Sequence, residues 1–327
     1  PVRCTTLESG AASERHTMTS NEGFHIGPIV IAVTLAVAVP TAAHCQNRGV
    51  WLPALQGFAP LLADPHEIRL AAGFAWTDLF EAGKVPAERP PFSIGDPDDM
   101  DRDFQGVVSL GGTLPLWASS EDPNNTVVVS IQAGVSARFR LEEPSRDYAA
   151  SDWTVTLPVA WRRPPFSLRA RILHRSAHLG DELIHNSGVQ RIEFAHEAID
   201  VLVAYDMAGA ARVYGGSTWI FRSITQQEMV LTGRNPDLRD NAAVQVGFDA
   251  EWPVGDDGRI TALAGLDFQA ASRTEWASQL SAAAGLGASG PGGGLQLLLR
   301  FYRGTSPLGE FFLTDETFWM LEAVVTH

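Results

Sequence analysis

Cysteine is nearly absent from this sequence. Of 327 residues only Cys4 and Cys45 are cysteines, so the chain downstream has neither a disulfide framework nor a cysteine metal site. Lysine is scarcer still: Lys84 stands alone and every other basic residue is arginine, which reads as compositional bias. The basic side is also short overall, with 24 Lys and Arg against 38 Asp and Glu, a formal charge of −14 and a pI near 5.0. Nucleic acid is thereby excluded as a partner, because phosphate binding needs a basic face. Long hydrophobic runs are missing but for one, PIVIAVTLAVAVPTAA at 28–43. That run is short for a membrane helix, which needs about 20 residues.

The run ends in small residues, with Thr41 and Ala43, or Ala43 and Cys45, placed for signal-peptidase cleavage, so it reads as a secretory signal. Residues 1–45 are expected to be a leader, with Met18 a candidate true start. Residues 46–66 are expected to be a periplasmic N-terminal segment, and 67–327 the folded domain.

What is present is alternation. Val127, Val129, Ile131, Ala133 and Val135 interleave with Ser130, Gln132, Gly134 and Ser136, and the pattern continues into Arg138 and Arg140. Trp153–Trp161, Val244–Trp252 and Leu295–Phe301 repeat it. A period of two marks strands with one apolar face. About twelve such strands are expected, starting near 67, 104, 125, 148, 166, 189, 211, 243, 259, 275, 294 and 316. Short connections (120–125, 162–165, 206–210, 255–258, 288–293) alternate with longer ones (78–103, 179–188, 223–242, 304–315); 142–147 is a shorter member of the second set, and the bend near 271–275 breaks the pattern. An even strand count, alternating loop lengths and an apolar stripe on every strand define an all-β class. The expected fold is a transmembrane antiparallel β-barrel with short periplasmic turns and longer extracellular loops. A soluble β-sandwich also alternates, yet gives no reason for the loop pattern or for so many charged second faces. The expected place is the outer membrane of a Gram-negative bacterium. Outer-membrane lipids and the barrel assembly machinery are the expected partners; oligomeric state is left open. Arg138, Arg140, Arg169, Arg171 and Arg300 should point inward and pair mainly with Asp249, Glu251, Asp267 or other inward acids.

The segment RPPFSLRARILHRSAHLGDELIHNSGVQRIEFAHEAIDVLVAYD (163–206) resembles the bacterial envelope family catalogued as domain of unknown function 1207. That family shows H-x-S-x-H-L-G-D-E followed by Y-x-x-E-A. FAPLLADPHEIRLAAG (58–73) and YRGTSPLGEFF (302–312) share the resemblance, which implies an outer-membrane barrel and no particular activity. The C-terminus, Val324-Val325-Thr326-His327, departs from the aromatic ending usual in barrels.

Within the strand from Phe166, the odd positions hold Arg169, Arg171 and Arg175 and belong inside. The even ones, ending in His174, Ser176 and His178, belong outside. Closing the short turns pairs Trp161 with Phe166, Phe166 with Tyr205, and Tyr205 with Ala211. Trp153, His174, Glu197 and Trp219 then form a row at the upper aromatic girdle. A serine two residues from a histidine on one face, with a carboxylate to hold the ring, is the arrangement of a catalytic triad. It looks like outer-membrane phospholipase A and lipid A 3-O-deacylase, which carry His-x-Ser on a barrel's exterior. The likeness covers His174-Arg175-Ser176 only, and Ala177 stands where those enzymes usually have Asn. The candidate catalytic set is therefore Ser176, His174 and Glu197, with His178, Asp181 and Glu182 accessory. The same residues also suit plain interfacial contacts to lipid headgroups, or a headgroup or cation site using Asp181 and Glu182. No cofactor is expected from the residues, calcium alone being left open. Three functions stay in view: a lipid-face acyl hydrolase, a small solute pore with a charged lumen, and a structural or surface protein acting through its long loops.

Overall fold

The computed structural model describes residues 49–80, 103–143, 146–187, 189, 191, 194–207, 210–223, 241–255 and 258–326. The leader and most of the 78–103 and 223–242 loops lie outside the described residues. Thirteen strands follow in order: β1 Val50–Trp51, β2 Leu70–Thr77, β3 Asp103–Ala118, β4 Thr126–Arg140, β5 Tyr148–Arg163, β6 Phe166–Leu179, β7 Phe194–Met207, β8 Ala211–Ser223, β9 Ala242–Val254, β10 Ile260–Ala271, β11 Ser278–Gly290, β12 Gly293–Thr305 and β13 Asp315–Thr326. One short helix, α1 (Asp181–Ser187), follows β6. Strands β2 to β13 each pair antiparallel with their sequence neighbours. The β13–β2 ladder, with β2–β3 and β3–β4, closes them into a twelve-stranded barrel.

The alternation sets the two faces of this wall. Outward positions are apolar and exposed, among them Leu110, Leu157, Ile172, Val246, Leu266 and Leu297. Trp161, Phe166, Tyr205 and Trp252 ring the end with short turns, and Trp76, Trp153, Trp219 and Trp319 the end with long connections. An apolar band between two aromatic girdles suits a bilayer, and closure satisfies the backbone groups that lipid would leave unpaired. By the usual polarity of such barrels the short turns are periplasmic.

Inward positions hold the buried charges, most of them paired, among apolar side chains such as Leu202, Leu263 and Leu298. Arg138 bonds Glu316, Arg171 bonds Asp200, Arg175 bonds Asp152, Arg212 bonds Asp249 and Arg300 bonds Glu322. The expected arginines do point inward and pair with inward acids, but with Glu316, Glu67, Asp200 and Glu322, while Asp249 takes Arg212. Glu251 is exposed near the periplasmic end. Asp267 takes hydrogen bonds from Tyr214, Gln245 and Gln269 instead of an arginine.

The segment expected in the periplasm runs inside the barrel. Chain direction shows how. β1 and β2 both lie along the same edge of β3, at Trp117–Ala118 and at Asp103–Ser109 respectively. Between them residues 53–69 leave the wall and cross the lumen. Phe58, Leu61, Ala63, Asp64 and Glu67 are buried. Arg212 donates to the Ala59 and Pro60 carbonyls, the Leu62 N–H bonds Asp249, and Arg169 pairs with Glu67 at 3.2 Å. Arg169 and Arg212 both lie over the Phe58 ring. Apolar alternation could not announce this segment, because it has none; its polar signal is the pair of acids Asp64 and Glu67, the second of which meets Arg169.

From the other end, the β12–β13 connection folds into the mouth. Arg175 and His66 bond the Pro307 carbonyl, and the Gly309 N–H donates to Asp152. The three family-like segments thus meet around Arg175, His66 and Pro307.

Candidate functional site

β6 carries His174 and Ser176 outward and Arg175 inward, as strand alternation requires. His174 is exposed on the lipid-facing wall and stands directly opposite Glu197 of β7. Its Nδ1 lies 3.2 Å from Glu197 Oε1. The second carboxylate oxygen, Oε2, is 3.8 Å from Arg222 Nε, on the last turn of strand β8 before its loop. A ladder irregularity between Glu197 and Ala198 brings Arg222 beside Glu197. Ser176 stands two residues beyond His174 on the same face, next to Trp153 across the ladder. Cα atoms two apart on a strand are about 7 Å apart. Among the described residues no hydrogen bond joins the Ser176 hydroxyl to His174.

The register expected from sequence is corrected at two hairpins. Trp161 pairs with Leu168 and Tyr205 with Val213, each two residues beyond expectation. Pairing continues through Arg162 and Arg163 to leave only Pro164-Pro165 as the turn, and through Asp206 and Met207 at the next one. Trp153 therefore faces Ser176, and Trp219 faces Ile199. A shift of two keeps every side chain on its face. The β6–β7 register, Phe166 with Tyr205 and His174 with Glu197, is as expected.

The accessory residues separate from this group. His178 is exposed on the outer face, its Nδ1 3.4 Å from Arg191 Nη2. Asp181 and Glu182 form the exposed first turn of α1, whose Leu183 is buried with Leu79, Phe80, Leu179 and Leu308 over the barrel mouth. Gly180 is what allows this fold-over: a Cβ there would lie 1.7 Å from the Tyr148 carbonyl oxygen. Sequence reasoning missed Arg222, since only the irregularity in β8 pairing brings it to Glu197.

A closed, even-stranded antiparallel barrel with an apolar outer band is the architecture of outer-membrane proteins of Gram-negative bacteria, and this chain has it. More particularly, the chain belongs to the family described as "Protein of unknown function (DUF1207)", which matches residues 92–323. No curated protein compared with it matches the chain. Among solved structures it is similar to the calcium-bound outer membrane phospholipase dimer of Salmonella typhi, at 13% identity and TM-score 0.47, over 80% of this chain and 93% of that one. Outer membrane phospholipase A from Escherichia coli gives 12% identity and TM-score 0.47, over 82% and 99%. The COG4313 outer membrane channel from Pseudomonas putida F1 gives 11% and 0.39, over 81% and 97%. Similarity at this level concerns the barrel alone.

Proposed function

We propose that the protein is an outer-leaflet acyl-ester hydrolase acting on phospholipid or lipopolysaccharide from the outer face of the barrel wall. The observation that carries this reading is the His174–Glu197 contact, 3.2 Å, on the lipid-facing side at the height of the upper girdle. A carboxylate there is costly unless paired, and pairing through Nδ1 leaves Nε2 directed to other work. In the reaction Ser176 Oγ attacks the ester carbonyl carbon while His174 takes the hydroxyl proton. The lipid alkoxide leaves with that proton, and a water activated by His174 then splits the acyl-serine. Glu197 keeps the imidazole in the required tautomer and stabilises its charged form. Arg222 Nε stands 3.8 Å from the far oxygen of Glu197, near enough for charge attraction but not for a hydrogen bond.

Among the described residues there is no group of three or more His, Cys, Asp and Glu side chains placed for a metal ion. A pore reading finds less support, because residues 53–69 cross the lumen and its charges are paired.

The test is fatty-acid release from phospholipid and from lipopolysaccharide by the purified protein in mixed micelles, with and without calcium. Ser176→Ala and His174→Ala should each lose nearly all turnover, and the double variant little more, since the two act as a unit. Equal release by Ser176→Ala, or no release by the parent on either lipid, sinks the reading and leaves these side chains as interfacial contacts.

A further inference from the structure

Ser176 lies between two histidines on one strand face, and their partners carry opposite charge. His174 Nδ1 is 3.2 Å from a carboxylate oxygen of Glu197. An ionised carboxylate only accepts, so this nitrogen carries the proton and Nε2 is left as a base. His178 Nδ1 is 3.4 Å from Arg191 Nη2, in the connection before β7. A guanidinium only donates, so here Nδ1 is the acceptor and the proton sits on Nε2. Arg191 is drawn to its place by buried Glu310, whose Oε1 is 3.8 Å from its Nε. The same kind of ring is thus a base on one side of Ser176 and an N–H donor on the other.

Ester hydrolysis through a serine needs such a donor, because the carbonyl oxygen becomes negative as the serine bonds to carbon. Backbone N–H groups, a common source, are engaged at this serine. Ser176 and Ala177 are paired on both sides, with Trp153 and Asp152 of β5 and with Ala195 and Phe194 of β7. The two ladders take their N–H groups. The indole N–H of Trp153, beside Ser176, donates to Ser151 Oγ at 3.0 Å. Arg222 stands two strands away, beyond Glu197. His178 is exposed on the outer face, two residues past Ser176. Same-face neighbours on a strand are about 7 Å apart at Cα, which leaves room for an ester carbonyl between serine oxygen and ring nitrogen.

We propose that His178 is a catalytic residue whose Nε2–H donates to the oxyanion formed at Ser176, with Arg191 the positioning residue that fixes its tautomer. The assignment rests on the hydrolase reading above. As Ser176 Oγ bonds to the carbonyl carbon, His174 Nε2 takes the hydroxyl proton and the carbonyl π pair moves onto oxygen. His178 stabilises that charge through its hydrogen bond and keeps its own proton. The pair then returns to carbon, the lipid alkoxide leaves, and His174 delivers the proton to it. Two identical side chains so take two roles, one set by Glu197 and the other by Arg191.

Steady-state hydrolysis of phospholipid micelles by the detergent-solubilised full chain tests this. His178→Phe removes the donor and should lower kcat about 100-fold or more, the usual loss for one oxyanion donor, with KM little changed. His178→Gln keeps an N–H near the Nε2 position and should recover a large part of that loss. Arg191→Met frees the tautomer and should lower kcat by less than His178→Phe does. A long-chain trifluoromethyl ketone, which forms an oxyanion on serine, should lose affinity in step with kcat in all three variants. A non-hydrolysable ether phospholipid should not. Heat-modifiable gel migration reports folding, and ketone binding by Arg191→Met decides should neither His178 variant fold. Full kcat in folded His178→Phe, or equal losses for ketone and ether lipid, overturns the assignment and leaves the Ser176–His174–Glu197 reading standing. No turnover by the parent sinks that reading, and this assignment with it.

Discussion

Glu197 lies among lipid-facing neighbours, Ile199, Val203 and Tyr205, all exposed on the same strand face. A charge at that position is tolerated because His174 and Arg222 flank it. Glu197→Gln keeps the shape and removes the charge, so the imidazole stays placed but its charged form loses support. Its hydrolysis rate should fall less than that of Ser176→Ala or His174→Ala, with KM little changed, as steady-state kinetics on phospholipid micelles will show. Arg175, between His174 and Ser176 in sequence, points the other way into Asp152; that contrast was legible from alternation alone. A second residue-scale prediction concerns Gly180. Adding one methyl puts carbon 1.7 Å from the Tyr148 carbonyl, so the backbone must shift. Gly180→Ala should lose about 1–3 kcal/mol, the usual range for overpacking, read as a lower urea midpoint in detergent. The glycine in the quoted HLGDE motif is explained by this close approach, which no spacing rule exposes.

At the scale of elements, the lumen-crossing segment 53–69 holds the most consequence. It fills the passage that twelve strands would otherwise enclose, and the Pro307 turn closes over it from outside. The parent should be electrically silent in planar bilayers, and deletion of residues 53–66 should give steady channel currents. Silence in the deletion variant, with the barrel folded, would show that the loops alone seal it. Most strand starts, the faces and the β6–β7 register could be read from the sequence because each rests on a period of two or on aligned aromatic ends; β7 begins at Phe194 and not near 189. Two hairpins could not, since Arg162, Arg163, Asp206 and Met207 look like turn residues and are strand. The inner segment was hidden for a different reason. Its polar contacts alone reach β6, β8, β9, β10 and β13, and a segment stabilised by such long-range partners leaves no local period. The inward arginines were foreseen, but not that Glu67, from outside the strands, pairs with one of them.

For the whole molecule, a barrel with its charges paired within and its apolar band without separates two kinds of chemistry. Solute in the lumen meets arginines and carboxylates; lipid in the outer leaflet meets His174, Ser176 and Glu197. Closure should make the chain resistant to SDS at room temperature, so that it migrates faster before boiling than after, and a sample that migrates alike both ways would contradict a closed barrel. With Ser176 as the proposed nucleophile on the outer wall, substrate would arrive by diffusion in the membrane plane, with no passage through the lumen. The deletion of 53–66 should therefore leave lipid hydrolysis intact wherever the barrel still folds. The most direct measurement is covalent trapping: the protein in lipid vesicles is treated with a long-chain alkyl sulfonyl fluoride, and the adduct is located by peptide mass spectrometry. The account predicts one adduct, on Ser176, formed about 100-fold or more slowly in His174→Ala, as loss of a general base requires. No adduct on Ser176, or one that forms as fast without His174, would contradict it.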